Sequence, residues 1–477
     1  VREKPSKMGK WNMSEKKIFK VPDPYPITIA GMLAALGPMA ISFGISVGGG
    51  EAQLMPWLSA VGGHSIAWLM WLGGIFEAVL VVEVIKYTVL TGRSFFTMTK
   101  DIPPRGWWPW LWIPIAAFGS WWPFGVTGAA SAFYEITKVG DYFLWSCAIL
   151  IFILLVYYLS RYVYNAIEKI FMVVMVVNFA LLVIIAALVA RPEDHLAILR
   201  GFLNFGLDGW PKGVPLTTAA SLYSQPGGAM MFISFWILES GWGLGRYSGK
   251  VTSPLRPPEE INVEPLEFDM KDPEEVKKMW GWIRLGKYSI WIWWFAMCMI
   301  SGYLYFLLGR AVLFKEGIVV TGFKVPLQIA IIIGKVWGPI MYSLGLIFII
   351  FTLCDQAIPT YDTFIGRVCA DAIATTPKLR GKRPYRFYYF IVVTVAILIS
   401  FYLVTIAAPF FLWMLNALGW IYMRGIGSAL ILYANNRFLP KEFRPSRLVN
   451  AILVLSIIGS VIGVVAWVLG YTAVVKL

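Results

Sequence analysis

The chain has 477 residues, of which 58% are hydrophobic and 14% charged, and its mean hydropathy is +0.68. A water-soluble domain carries roughly a quarter charged residues, so this composition excludes a protein that folds in water. The net charge of +14 would suit nucleic acid, but Lys and Arg fall between apolar blocks, so the lipid bilayer is the expected partner and nucleic acid is not.

The apolar blocks exceed the ~20 residues that cross a bilayer as a helix. Lipid offers no partner to backbone N–H and C=O groups, so only helices or a closed barrel can cross it. The runs 147–158 and 172–190 show no period-2 alternation, which selects helices. The expected fold class is therefore an all-α integral membrane protein of about eleven transmembrane helices. In chain order spans 1 to 11 are 27–59, 65–90, 108–133, 142–160, 166–190, 215–246, 288–309, 336–366, 387–405, 408–433 and 448–473. Spans 1, 6 and 8 are too long for one straight crossing. A tail over 1–26 precedes a single transmembrane domain over 27–473, with an inner loop at 247–287 between spans 6 and 7. That loop carries Pro254, Pro257, Pro258, Pro265 and Pro273 and reads as a connector.

Lys and Arg test the count. With the N-terminus inside, 30 of the 41 fall in the inner segments and 9 in the outer ones, while Lys86 and Arg424 lie within spans. This imbalance favours an inside N-terminus and an odd number of helices. The expected location is the cell membrane, multi-pass, with a cytoplasmic N-terminus and no signal peptide. Tryptophans at 107–112, 121–122 and 291–294 fit an interfacial aromatic belt. Cys147, Cys298, Cys354 and Cys369 have no CxxC pair or zinc-site spacing and read as packing residues.

Two spans carry interruptions. Span 1 contains Ser46-Val47-Gly48-Gly49-Gly50-Glu51 and span 6 contains Tyr223-Ser224-Gln225-Pro226-Gly227-Gly228-Ala229. Gly costs about 1 kcal/mol in a helix interior and Pro about 3. Pro226 also removes a backbone donor. Matched Gly/Pro breaks in two halves of a membrane protein point to discontinuous helices whose open carbonyls and half-helix ends bind an ion or solute. Close helix packing through small residues is the structural alternative. Gly48, Gly49, Gly50, Glu51, Tyr223, Ser224, Gln225, Pro226 and Gly227 are thus the candidate binding residues, with Glu51 and Gln225 as metal ligands.

Six acids and Arg424 lie well inside the spans, where charge is expensive and marks function. Glu51 opens the outer half of span 1 as ligand, proton carrier or cap. Glu77 and Glu83 in span 2, Glu239 in span 6, Asp355 in span 8 and Arg424 in span 10 are candidates for a proton relay or gate. Glu83, Glu239 and Arg424 are expected in one layer, with Glu77 nearer the midplane. Asp355 and Asp362 share a helix face, and Asp362, Arg367 and Asp371 belong to the inner end. Asn416 reads as an interhelical hydrogen bond, and His64 and His195 as incidental residues of the outer side.

Gly37-Pro38, Gly48-Gly49-Gly50-Glu51, Ala67-Trp68, Tyr87-Thr88 and Thr91-Gly92 resemble the first two helices of the Nramp metal-ion transporter family. The span 6 stretch from Tyr223 through Gly241-Trp242-Gly243-Leu244-Gly245 is similar to a divergent branch of that family. So is Leu439-Pro440-Lys441-Glu442-Phe443-Arg444-Pro445. The resemblance implies a LeuT-type fold, two inverted repeats of five helices plus one, with helices 1 and 6 discontinuous. Metal-transporting members carry Asp-Pro-Gly-Asn in the first break and Met and His around the Pro of the second. Here Gly48–Glu51, Gln225 and Gly227 stand there, so soft and proton-accepting ligands are missing. Oxygen ligands suit hard cations.

No nucleophile–base spacing, P-loop or HExxH occurs, so neither enzyme nor cofactor is expected. The sequence reads as a secondary active transporter using alternating access. Its expected cargo is a hard divalent cation such as Mg²⁺ or Mn²⁺, with a proton or Na⁺ gradient as the energy source. A carrier of a small organic solute on the same fold, or a non-transporting membrane subunit, are the alternatives.

Overall fold

The computed structural model describes residues 17–160, 163–227, 230–254 and 256–475. The first sixteen residues of the expected tail, Gly228 and Ala229 of the span 6 motif, and the side chain of Asp355 lie outside the described residues. Among the described residues, apart from one pairing of two short strands, the regular structure is helical.

Helices occupy the positions of the expected spans. Span 2 becomes Gly63–Thr91, span 4 Tyr142–Leu159, span 5 Val163–Val189, span 7 Pro273–Phe314 and span 8 Pro339–Ala374. Spans 9 to 11 become Tyr385–Leu403, Pro409–Arg437 and Arg447–Val475. Span 3 is parted at Pro123 into Trp108–Ser120 and Phe124–Thr137. Spans 2, 4 and 7 to 11 contain the seven described helices long and apolar enough to cross a membrane.

Local chemistry sets many of the ends. Asp141 caps span 4 by accepting from Leu144 N at 2.7 Å, which satisfies a free N–H. Pro339 and Pro409 stand at first helical positions, where their missing donor costs nothing. Gly92 closes span 2 at φ 64°, and a Cβ there would lie 2.9 Å from Leu244 O.

Two readings need correction. Span 7 starts at Pro273 rather than 288, capped by Asp272, so residues 273–287 of the 247–287 connector are helix. Its first turns are too polar to stand out as a membrane span. The segments read as outer loops contain helices Pro192–Leu203 and Gln328–Trp337. Both are shorter than a crossing, so a search for span-length runs passes over them.

The packing separates centre from rim. The most apolar stretches of spans 7 and 10 are 67% buried, those of spans 4 and 11 only 28%. Spans 4, 9 and 11 turn apolar side chains such as Phe152, Leu398 and Val461 outward, as lipid contact requires. Trp112 and Trp294 lie in the core, so neither belongs to the expected aromatic belt.

Segments expected on one side of the membrane meet. Ile18–Phe19 pairs in parallel with Glu267–Phe268, and Trp282 Nε1 donates to Pro22 O at 2.9 Å. Lys100 and Arg380 both bind Glu264, at 2.7 and 2.6 Å, and Trp280 packs on Phe443. The chain start and the connectors after spans 2, 6, 8 and 10 therefore share one end. At the other end Lys315 binds Asp194 at 2.7 Å, Arg310 approaches His64 at 3.4 Å and Tyr142 stacks on Phe323.

Candidate functional site at the interrupted helices

The two breaks take different forms. In span 6 the helix Leu216–Tyr223 stops, and a further helix resumes at Ile233–Ser240 after a tight turn at Met230–Phe232. In span 1 the chain stays helical: Gly37–Ser46 is followed by one π turn at Val47–Glu51 and then Ala52–Ala60. The expected unwinding at Gly48–Gly50 is therefore corrected to a widened turn. Backbone groups deep in an apolar interior have no water to turn to. A π turn absorbs three glycines while keeping the chain helical, and such turns recur at functional sites.

The breaks touch, as expected. Ser46 Oγ lies 2.8 Å from Gly227 O and accepts from Trp294 Nε1 at 3.0 Å. The glycines are there because neighbours press on them. A Cβ on Gly50 would lie 2.3 Å from Trp413 Nε1, and one on Gly49 would meet Phe124 and Gln356. Gly227 packs in the same way on Trp420. Gln356 Nε2 also donates to Gly44 O. Gln356, Trp294, Trp413 and Trp420 line the candidate site without a signal in residue order, because a lone amide or an indole in an apolar span passes for belt or core.

Glu51 ends the π turn, roughly 7 Å along the axis from Ser46 at about 1.5 Å per residue. It is 0% exposed, and neither carboxylate oxygen meets a protein donor. It makes no capping bond to the helix that follows, so the cap alternative falls away. Gln225 is equally buried; Nε2 donates to Ser224 Oγ at 3.1 Å and Oε1 is unpartnered. Nearby in sequence, both polar atoms of the Gln53 side chain are also unpartnered. Among the described residues no three His, Cys, Asp or Glu side chains converge on a metal-sized space. A cation here would depend on Glu51 with amide and carbonyl oxygens.

The carbonyls at the end of the first half-helix of span 6 are already taken. Arg424 Nη1 donates to Tyr223 O at 3.0 Å, and Nη2 donates to Ser224 O and Glu77 Oε2, each at 2.7 Å. Glu77 Oε1 accepts from Met230 N at 3.2 Å, beyond the break. Gly73 lets this happen: a Cβ there would sit 1.9 Å from Tyr223 O. The guanidinium lies 5.2 Å above the Tyr223 ring. An Arg at mid-membrane costs about 3 kcal/mol on insertion scales; three oxygen partners and a ring face offset that. The shared layer expected for Arg424, Glu83 and Glu239 is corrected: Arg424 pairs with Glu77, because span 10 passes the break itself.

Glu83 and Glu239 have partners of their own. Glu83 binds Lys86 at 2.7 Å and Asn435 Nδ2 at 2.8 Å. Glu239 binds Arg367 at 2.7 Å and accepts from Val251 N at 3.0 Å. Arg367 also holds Asp362 at 3.0 Å, and Tyr389 donates to Asp362 at 2.6 Å. Asp371 accepts from Tyr385 at 2.9 Å and from Ser94. This buried network joins spans 6, 8 and 9 at the end where the connectors gather. Asn416 donates to Trp122 O at 2.9 Å, so the bond expected to run between helices goes instead to the non-helical link that parts span 3. His195 Nδ1 lies 2.5 Å from Tyr303 OH, at the opposite end with His64.

No family model matches this chain, and none of the curated proteins does. Solved structures do. The manganese transporter of Eremococcus coleocola, in complex with an aromatic bis-isothiourea substituted compound, superposes with a TM-score of 0.59 at 14% identity, covering 97% of this chain and 92% of its own. Mhp1, a nucleobase-cation-symport-1 family transporter in a closed conformation with bromovinylhydantoin bound, gives 0.51 at 12% identity over 92% of both chains. MhsT in complex with L-phenylalanine gives 0.51 at 11% identity, covering 92% of this chain and 98% of its own. The chain is an all-α multi-pass membrane protein with discontinuous helices and the fold these three share, the LeuT type.

Proposed function

We propose that the chain is a secondary active transporter working by alternating access, with eleven crossings arranged as two inverted repeats of five plus one and the N-terminus in the cytoplasm. Its cargo is a hard divalent cation, Mg²⁺ or Mn²⁺, held by Glu51 with Gln225 Oε1. The observation that carries this reading is the Glu51 carboxylate, fully buried with no protein donor on either oxygen. An ionised group so placed costs several kcal/mol unless neutralised, and a cation or a proton neutralises it. The two states are the loaded and unloaded forms that a proton-coupled carrier alternates between. Glu51 and Gln225 Oε1 offer oxygen donors, which favour a hard cation over a soft metal. The manganese cargo of one structural neighbour agrees with this class of ion.

The buried pairs Glu239–Arg367 and Arg367–Asp362 serve as the inner gate, and the salt bridges around Asp194 as the outer one. Uptake into liposomes tests the reading. Purified protein accumulates Mn²⁺ or Mg²⁺ and is poorly inhibited by Cd²⁺; Cd²⁺ transport without Mn²⁺ or Mg²⁺ transport refutes it. One observation favours a second cargo class, a small organic solute. Trp413 and Trp420 present unpartnered indole N–H groups beside Gly50 and Gly227, a wall suited to a planar polar molecule. Flux of such a solute with no metal flux selects that reading.

A further inference from the structure

The span 6 break has the chemistry of a monovalent-cation site. Two carbonyls at a half-helix C-terminus carry the negative end of the helix dipole, and a carboxylate from span 2 faces them. Arg424 fills that position from span 10, with its guanidinium 2.7–3.0 Å from Tyr223 O, Ser224 O and Glu77 Oε2. Side chain and partners are all buried. The lack of a side chain on Gly73 keeps Tyr223 O in place against span 2. Glu77 reaches across to Met230 N, so one ion pair holds both sides of the break.

We propose that Arg424 is a resident cation, occupying the place at which a free Na⁺ would otherwise bind, so that this protein takes up no monovalent cation at span 6. The charge balance follows directly. Glu77 is matched by Arg424, and no further monovalent charge is needed to hold the half-helices together. Removing the guanidinium while keeping the fold leaves two carbonyls and one carboxylate facing one another, a set of hard oxygen donors that suits a small hard cation. The inference needs the transporter reading only for its consequence, that Na⁺ bound at this break is not the coupling ion. Binding itself is tested without transport.

The experiment is thermal unfolding of purified wild type and Arg424→Gln in NaCl, LiCl, KCl and choline chloride at equal ionic strength. Wild type melts at the same temperature in all four. Arg424→Gln melts lower, and Na⁺ or Li⁺ raises it by at least ~2–4 °C over choline, the response of a newly opened cation site. Arg424→Lys keeps a tethered cation and stays indifferent to the salt, which covers the case of a glutamine variant that does not fold. Selective stabilisation by Na⁺ or Li⁺ of both wild type and Glu51→Gln, in which the other candidate cation site is removed, overturns the proposal, and that arm leaves Arg424 in place. A folded Arg424→Gln that ignores the cation overturns it as well. If no cargo is transported yet the salt pattern holds, the proposed function fails and the resident cation stands.

Discussion

The two breaks begin from similar sequence, a run of small residues in mid-span, and end in opposite electrostatic states. At span 6 every charge has a partner: Arg424 takes the free carbonyls and Glu77 balances it. At span 1 the backbone looks after itself through a π turn, and the one charge, Glu51, has no partner. A membrane interior makes both solutions demanding, since water is not there to correct them. The span 6 break is held by the protein's own ion pair, and the span 1 break carries the charge to which the proposed function assigns the cargo ion.

The largest effect is expected at the satisfied break. Arg424→Ala leaves Glu77 buried without its counter-charge, and removing one partner of a buried pair costs about 3–5 kcal/mol. Melting should fall sharply. If it does not move, the two breaks are not opposites. Glu51→Gln, by contrast, removes a charge that has no partner, so melting holds or rises while flux drops at least about tenfold. A variant that loses stability would reveal a hidden partner for Glu51 and blur the contrast.

Gly50→Ala is the next step down. Its methyl must displace Trp413, and overpacking of this kind costs about 1–3 kcal/mol. Flux should suffer with stability, and restoration of flux by a smaller residue at 413 would locate the lesion in that contact. The smallest effect lies far from either break, at Glu264. Partial burial disfavours its charge, but the hydrogen bonds and charges of Lys100 and Arg380 outweigh this and hold its carboxyl below the usual glutamate value. A lowered carboxyl gives stability above the unfolded value and loses it as pH falls through the folded one. Glu264 and Arg380 are close to half exposed and screened by solvent, so Glu264→Gln costs at most about 1 kcal/mol near neutral pH. The difference from wild type should disappear in acid melting runs.

Much of this was legible in residue order. Apolar block lengths placed the helices, and the Lys/Arg imbalance grouped connectors that do meet at one end of the molecule. The glycine runs marked the breaks, and Ser46 touching Gly227 puts them side by side. The form of each break was not legible. Three glycines permit an unwound segment and a π turn equally, and the choice depends on what packs against them, here Trp413, Phe124 and Gln356. Nor does residue order reveal every pairing of buried acid with base. Lys86 stands three residues from Glu83 on one helix, so that pair can be read from spacing, but nothing in the order tells that Glu77 meets Arg424. Rotation and depth of span 10 decide that, and neither is written in its hydropathy.

The account turns on Glu51 as the carboxylate that holds the cargo ion. Calorimetric titration of Mn²⁺ into purified wild type and Glu51→Gln, both shown to be folded by their melting, tests it most directly. The account predicts saturable binding to wild type at one site and none to the variant. Equal Mn²⁺ binding by both proteins would contradict it.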